Sequence, residues 1–178
     1  MNDARAVREI KRCARAGARG LGELRPASQG WDLNGEAGDR LADIAGELGL
    51  VLLFHVTEPG DRDYPGRSGC DLDDFSAFAA RHPGLTIVGA HLGGGVYADG
   101  SDAPEVYVDT AAQPFLYREA AAEPAMRAVP AGHLLFGSDY PLIAQKRQID
   151  EVARVFDDEA EREAVLGGNA TRLLGLDE

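Results

Sequence analysis

The chain has 178 residues, of which 44% are hydrophobic, and carries a formal net charge of −12 at pH 7. This length and composition suit one domain with a hydrophobic core. The acidic charge argues against nucleic acids and anionic membranes as partners, because both require a basic face, and no apolar run reaches the 18 residues that suggest a transmembrane helix.

The N-terminal sequence MNDARAVREIKRCARAG predicts a first helix that Asn2 or Asp3 can cap and that stops near Gly17. The sequence lacks the apolar centre of a signal peptide, which predicts an intracellular, cytoplasmic protein. Cys13 and Cys70 show no metal-ligand spacing. Two reduced thiols fit this compartment better than a disulfide does.

Strands and helices then alternate along the chain. Apolar runs predict strands at residues 18–24, 50–54, 85–90 and 105–111 and a fifth that begins at Leu134. Helical periodicity predicts helices at residues 39–48, 71–81, 146–156 and 158–166 and in part of 115–129, with residues 25–38 as a loop. Gly167, Gly168 and Asn169 predict a left-handed turn after the last long helix. Because each return passes through a crossover, we expect a parallel sheet.

The connection between the third and fourth predicted strands is the exception to this alternation. Its sequence GGGVYADGSDAP has no helical pattern, so we expect no helix there. The triple glycine 93–95 lacks the spacing of a phosphate-binding loop, and no G-x-S-x-G nucleophile motif accompanies it. A closed eight-stranded barrel takes about 250 residues, so five strands predict only part of one.

Three of the apolar runs end on a residue that can bind a metal: His55, His91 and Asp139. Reactive groups gather at the C-terminal ends of parallel strands. Imidazole and carboxylate ligands suit Zn, Mn or Fe and leave room for a water that a hydrolase activates. Each residue alone has a structural alternative, a hydrogen-bonded histidine or, for Asp139, a helix cap.

Four further residues are candidate substrate contacts. Glu23 ends the first predicted strand, where it can join the cluster or simply pair with Arg25. Glu58, Tyr64 and Arg67 lie in the long loop after His55. A loop of this length inside a domain is typical of function or of disorder, and a solvated loop face is the alternative account of these three residues.

Several sequence motifs are distributed over nearly the whole chain: GLGELRPASQGWDL, LLFHVTEP with DYPGR, IVGAHLGGG, VYVDTAAQPFLY, LLFGSDYP and LGGNATRLLGL. In this order and spacing the sequence resembles the amidohydrolase-related, metal-dependent hydrolases of the TIM-barrel type, the group that also contains the aminocarboxymuconate-semialdehyde decarboxylase-like enzymes. The resemblance implies a partial (β/α)8 TIM barrel whose five strands correspond to strands four to eight, without the first three.

The resemblance also implies roles for three residues: His55 as a metal ligand, His91 as a ligand or catalytic histidine, and Asp139 as a ligand or proton acceptor. The family's His-x-His pair on the first strand has no counterpart here. The expected function is hydrolysis of a small polar molecule by a metal-activated water, with Zn, Mn or Fe as cofactor, and decarboxylation as the variant chemistry. The alternative is a catalytically silent remnant, or half of a split barrel that needs a complementing N-terminal partner. Exposed sheet edges also predict self-association.

Overall fold

Five parallel strands form a single sheet whose spatial order matches their order in the chain. The structure, a computed structural model, describes residues 4–57, 67–98, 100 and 103–176. The strands are β1 Gly20–Leu24, β2 Val51–Phe54, β3 Ile87–Gly89, β4 Tyr107–Asp109 and β5 Leu134–Leu135. Sequential neighbours joined by crossovers are the arrangement of a TIM-barrel segment, which confirms the predicted fold class.

Helices lie in three of the four connections between strands and also begin and complete the described chain. They are α1 Ala4–Arg15, α2 Pro26–Gln29, α3 Glu36–Leu48, α4 Leu72–Arg81, α5 Gln113–Leu116, α6 Glu119–Arg127, α7 Gln145–Val155, α8 Glu159–Glu163 and α9 Asn169–Leu174. In the part of the chain that the structure describes, no helix is long and apolar enough to cross a membrane.

The core lies between β2 and the helices that flank it. The side chains of Leu52 and Phe54 alternate with partly exposed ones along β2 and are fully buried. The ring of Phe54 meets those of Phe75 and Phe78 edge-on, at centroid distances of 6.1 and 5.5 Å. Edge-to-face pairs at this spacing are favourable beyond the area that they bury, so α4 is fixed firmly behind the strand that delivers His55.

Two local predictions are wrong. The predicted loop at residues 25–38 contains α2, and α3 begins at Glu36, within that loop. The segment 167–169 is not a left-handed turn, because a π-helical turn, Ala164–Gly168, joins α8 directly to α9 with φ of −57° at Gly168 and −64° at Asn169. Continued helix carries Asn169 into the core, where its amide Nδ2 donates to the carbonyl of Leu134 at 2.8 Å.

A left-handed turn, Ala90–Gly93, takes the place of a helix after β3. His91 and Leu92 have φ of 60° and 55°, and the glycines 93–95 continue at 60°, 62° and 87°. Backbone N–H groups of residues 94–96 each donate to the carbonyl three residues earlier. Among the described residues between this turn and β4 there is no helix, as the sequence predicted.

Candidate metal centre

Three side chains from three neighbouring strand ends converge on one point. Oε1 of Glu23 lies 3.0 Å from Nδ1 of His55 and 3.4 Å from Nε2 of His91, and the two ring nitrogens are 3.1 Å apart. Both histidines are buried, whereas the Glu23 side chain is one-third exposed. Within the described residues this is the group of metal-binding side chains whose ligand atoms all lie within 4.8 Å of one another.

The backbone explains why these residues meet. The pairing of β1 with β2 shifts register between Leu21 and Leu24, and such an irregularity re-aims a side chain at a strand end. His55 directly follows β2, and its backbone N–H donates to Leu24 at 2.9 Å. His91 lies in the left-handed turn after β3, which directs its imidazole toward the other two residues.

Backbone carbonyls fix the tautomers of both imidazoles. Nδ1 of His91 lies 3.0 Å from the carbonyl oxygen of Ala111, and Nε2 of His55 lies 3.2 Å from that of Arg67. A carbonyl oxygen only accepts, so each of these ring nitrogens carries the hydrogen. In the neutral rings, the nitrogens with lone pairs are therefore the two that face Glu23. Three acceptors converge without a donor among them.

A proton or a metal ion among these three acceptors relieves their mutual repulsion, and the pKa values show that the cluster holds a proton readily. For His91, burial lowers the pKa, but the hydrogen bond to Glu23 and the Ala111 carbonyl outweigh burial and raise it to about 9. For Glu23, burial raises the pKa, but hydrogen bonds to both histidines lower it to about 2. Without a metal, a proton on imidazole therefore compensates the carboxylate.

The same geometry fits a single divalent ion. Two ligands that each lie 2.0–2.2 Å from a metal at angles of 90–110° are separated by about 2.8 to 3.6 Å. The three separations in this cluster, 3.0, 3.1 and 3.4 Å, fall in that range. Each imidazole also donates its other N–H to a backbone carbonyl, which is the usual second contact of a metal-binding histidine.

The structure brings together part of the predicted site. His55 and His91 lie side by side, and Glu23 joins them rather than pairing with Arg25, whose guanidinium donates to the carbonyl of Ser68. Asp139 is exposed, has a φ of 58°, and belongs to no such ligand group in the described chain. Its role as a ligand therefore stays a prediction.

The predicted loop contacts are only partly described. Arg67 contributes its backbone carbonyl, which accepts from Nε2 of His55. Glu58 and Tyr64 lie outside the described residues. Cys70, a free thiol beside them in the chain, donates its backbone N–H to the carbonyl of His55 at 2.9 Å, and burial raises its pKa to about 12. Cys70 is thus a packed structural residue.

Two residues near His91 have contacts that the sequence did not reveal. Oδ1 of Asp109, the last residue of β4, accepts from the backbone N–H of His91 at 3.0 Å, and the hydroxyl of Tyr117 donates to the carbonyl of His91 at 2.8 Å. Burial raises the pKa of Asp109. One sequence signal points to Asp109: it is a carboxylate at the end of an apolar strand, and the neighbouring strand ends on a histidine.

Comparison with known proteins gives one family match and several structural ones. The family model described as Amidohydrolase matches residues 1–176. No curated protein matches the chain. The chain is 17% identical to 2,6-dihydroxybenzoate decarboxylase from Rhizobium, with a TM-score of 0.67, covering 97% of this chain and 68% of that one.

Two further solved structures have the same fold. A dihydroxybenzoic acid decarboxylase from Polaromonas with bound manganese and 2-nitroresorcinol is 15% identical, with a TM-score of 0.68 and coverage of 97% and 66% of the two chains. A candidate 2-pyrone-4,6-dicarboxylic acid hydrolase from Pseudomonas putida is 22% identical, with a TM-score of 0.68 and coverage of 97% and 68%. The chain thus spans about two thirds of the length of these structures.

Proposed function

Because the chain belongs to the amidohydrolase family, we propose that it is a metal-dependent enzyme that binds a divalent ion through Glu23, His55 and His91. The observation that carries this proposal is the convergence of three lone pairs, with the two imidazole tautomers fixed by backbone carbonyls. Two histidines and one carboxylate form the ligand set of several zinc hydrolases, and they leave positions open for water and substrate.

The proposed reaction is hydrolysis of a C–N or C–O bond in a small polar molecule. A bound divalent ion supplies a Lewis acid and lowers the pKa of a coordinated water. The chain's own residues balance charge and accept protons. Glu23 offsets one positive charge of the bound ion, and Asp139, exposed after β5, is our candidate proton acceptor. Buried His55 and His91 keep one side of the site closed to solvent.

Zn²⁺ is the ion that we propose first, with Mn²⁺ and Fe²⁺ as alternatives. Imidazole and carboxylate donors suit all three metals. Manganese is bound in the structure from Polaromonas. A purified protein stripped with a chelator and dialysed against each ion in turn distinguishes them by metal analysis of the retained stoichiometry.

The metal site is tested by substitution. We expect wild-type protein to retain about one ion per chain, and Glu23→Gln and His55→Ala to lose most of it, because a missing ligand leaves two donors. His82→Ala is the matched control, because His82 lies outside the cluster and near Asp39 at 3.6 Å. Wild-type stoichiometry in both cluster variants, or equal loss in His82→Ala, would contradict the assignment.

Decarboxylation is the second candidate reaction. Two of the three structural relatives described above are decarboxylases of dihydroxybenzoic acids. A metal-loaded preparation can be offered 2,6-dihydroxybenzoate and, separately, 2-pyrone-4,6-dicarboxylate. Release of CO2 from the first indicates a decarboxylase, whereas ring opening of the second without CO2 indicates a hydrolase.

A third proposal is that this chain binds metal but does not catalyse turnover by itself. About a third of the chain of each structural relative lies outside the part that this sequence covers, and the family resemblance assigns two further ligands to the first barrel strand. We propose that turnover requires such a segment, joined to this chain or supplied by a partner. Full metal binding without turnover of either substrate supports this proposal, and turnover by this chain alone refutes it.

A further inference from the structure

His91 has a backbone conformation that few side chains adopt. Its φ of 60° and ψ of 51° lie in the left-handed region, as does the φ of 55° at Leu92. Residues other than glycine visit this region singly and rarely, because Cβ approaches the following carbonyl oxygen. Two successive buried side chains in this conformation need contacts that hold them there.

Three groups of His91 are held by one neighbouring segment. Its backbone N–H donates to Oδ1 of Asp109 at 3.0 Å, its carbonyl accepts from the hydroxyl of Tyr117 at 2.8 Å, and its Nδ1 donates to the carbonyl of Ala111 at 3.0 Å. All three partners lie in one short segment, from Asp109 at the end of β4 to Tyr117 directly after α5. An uncommon backbone conformation persists where its surroundings over-determine it, and these contacts do so.

Asp109 acts on both the backbone and the ring of His91. The same oxygen that accepts from His91 also accepts from the backbone N–H of Ala111 at 2.9 Å. That bond places Ala111, whose carbonyl fixes the imidazole. One carboxylate oxygen therefore orients the main chain of His91 directly and its side chain through one intermediary.

We propose that Asp109 and Tyr117 are positioning residues that hold His91 in the left-handed conformation, so that Nε2 points at Glu23 and His55. The effect of these residues on metal binding rests on the proposed metal function, whereas their effect on the conformation of His91 does not. Rotation of residue 91 out of the left-handed region would redirect the imidazole, and the three-ligand cluster would lose a member. Neither residue needs to touch the ion or the substrate.

The test compares metal affinity among variants. We expect Asp109→Ala to weaken Zn²⁺ binding about 10–100-fold, the range seen when outer contacts of metal ligands are removed, and Tyr117→Phe to weaken it at least about threefold, as the loss of one hydrogen bond does. Asp109→Asn should bind within about threefold of wild type, because an amide oxygen can accept the same two backbone bonds. Dissociation constants are measured by competition with a chromophoric chelator.

Tyr97→Phe is the matched control for Tyr117→Phe. Tyr97 also donates its hydroxyl to a backbone carbonyl, that of Val106, at 2.6 Å, but has no bond to the cluster. We expect Tyr97→Phe to change thermal stability without changing Zn²⁺ affinity. Equal weakening by both tyrosine variants would indicate a merely structural role and overturn the proposal for Tyr117.

A metal-free readout separates this inference from the proposed function. Crystal structures of metal-free wild type, Asp109→Ala and Tyr117→Phe should show His91 leaving the left-handed region in the variants and its Nε2 moving away from Glu23. If wild type binds no metal but the variants show this change, the metal function fails and the positioning role stands. If folded Asp109→Ala keeps both the conformation and wild-type affinity, the positioning role is wrong. Should Asp109→Ala not fold, Tyr117→Phe and the Asn variant decide the question.

Discussion

His55 packs so closely against residue 69 that the site needs a glycine at that position. A Cβ at position 69 would lie 2.0 Å from the carbonyl oxygen of His55 and 2.3 Å from its ring carbon Cδ2. We therefore expect Gly69→Ala to displace His55, to lower the free energy of unfolding by about 1–3 kcal/mol as overpacking does, and to reduce metal stoichiometry. Urea unfolding and metal analysis measure the two effects.

Gly84→Ala is the control for this prediction. No heavy atom lies within 4 Å of a Cβ built on Gly84, and its φ is not in the left-handed region. This variant should unfold within about 0.5 kcal/mol of wild type, as surface substitutions usually do, and keep its metal. If Gly69→Ala behaves the same way, the close packing of residue 69 against His55 is not needed for the site.

The pKa values of the cluster predict a stability optimum for metal-free protein. The folded-state pKa of His91 is raised from 6.5 to about 9, so its contribution is complete below pH 6.5 and is lost as the pH rises through 9. The pKa of Glu23 is lowered from 4.5 to about 2, so its contribution is complete above pH 4.5 and is lost as the pH falls through 2. The contribution of this pair to stability should therefore be greatest between pH 4.5 and 6.5, as thermal unfolding of the metal-free protein measures.

Bound metal should offset the loss of stability that the metal-free protein shows at alkaline pH. Histidine binds metal in its neutral form, so affinity rises as the imidazole loses its proton. Excess Zn²⁺ should therefore raise the melting temperature more at pH 9 than at pH 6. A melting temperature of the metal-free protein that does not fall between pH 6.5 and 9 would contradict the coupling between His91 and Glu23.

Individual residues show how far the sequence predicts the site. His55 and His91 could be found because each follows a continuous apolar run. Glu23 could not be separated from an ion pair with Arg25, because the choice depends on an irregularity in β1 that no local pattern encodes. Asp109 was hidden for another reason: its importance depends on its bond to His91, 18 residues away.

At the scale of the element, the left-handed turn after β3 depends on glycine for conformation and for space. Gly94 has a φ of 62°, and a Cβ there would lie 2.7 Å from Cγ1 of Val56. Gly49 has a similar φ of 61°, but no heavy atom lies within 4 Å of its Cβ position. The two glycines thus separate the cost of conformation from the cost of a steric clash.

We expect Gly94→Ala to destabilise the protein more than Gly49→Ala does. Alanine in the left-handed region costs about 1–2 kcal/mol, which should be the whole effect at Gly49, and overpacking at Gly94 adds about 1–3 kcal/mol. Urea unfolding of both variants measures the difference. Equal losses would mean that the turn moves away from Val56 at little cost, and that Gly94 is needed only for its φ.

Sequence patterns predicted most elements but not those set by tertiary contacts. The alternation of strands and helices, the parallel sheet and the absence of a helix after β3 followed from apolar runs and their spacing. The continuation of α8 through a π-helical turn into α9 did not, because two glycines before Asn169 favour a helix stop locally. The buried bond from Asn169 to Leu134 outweighs that preference.

At the scale of the whole molecule, the sheet is open and its two outer strands differ. In the described chain, β1 pairs only with β2 and β5 only with β4. The carbonyls of His133 and Leu135 accept from the backbone N–H groups of Val108 in β4 and of Thr110 directly after it. In a parallel strand, the backbone N–H and C=O groups of alternate residues point to opposite sides of the strand. Those of Leu134 therefore point to the open edge, where the side-chain amide of Asn169 donates to the carbonyl of Leu134. The C-terminal helix therefore covers part of this edge.

We propose that this contact limits edge-to-edge association, because unpaired strand groups are templates for another chain. Asn169→Ala should lower the free energy of unfolding by about 1–3 kcal/mol, since it leaves a buried carbonyl without a partner, and should increase self-association in sedimentation velocity experiments. Asn34→Ala is the matched control, because Asn34 also donates Nδ2 to a backbone carbonyl, that of Asp74, but lies in the connection between β1 and β2. If Asn169→Ala sediments like wild type at every concentration while Asn34→Ala does the same, the open edge of β5 does not drive association, and the bond from Asn169 serves stability alone.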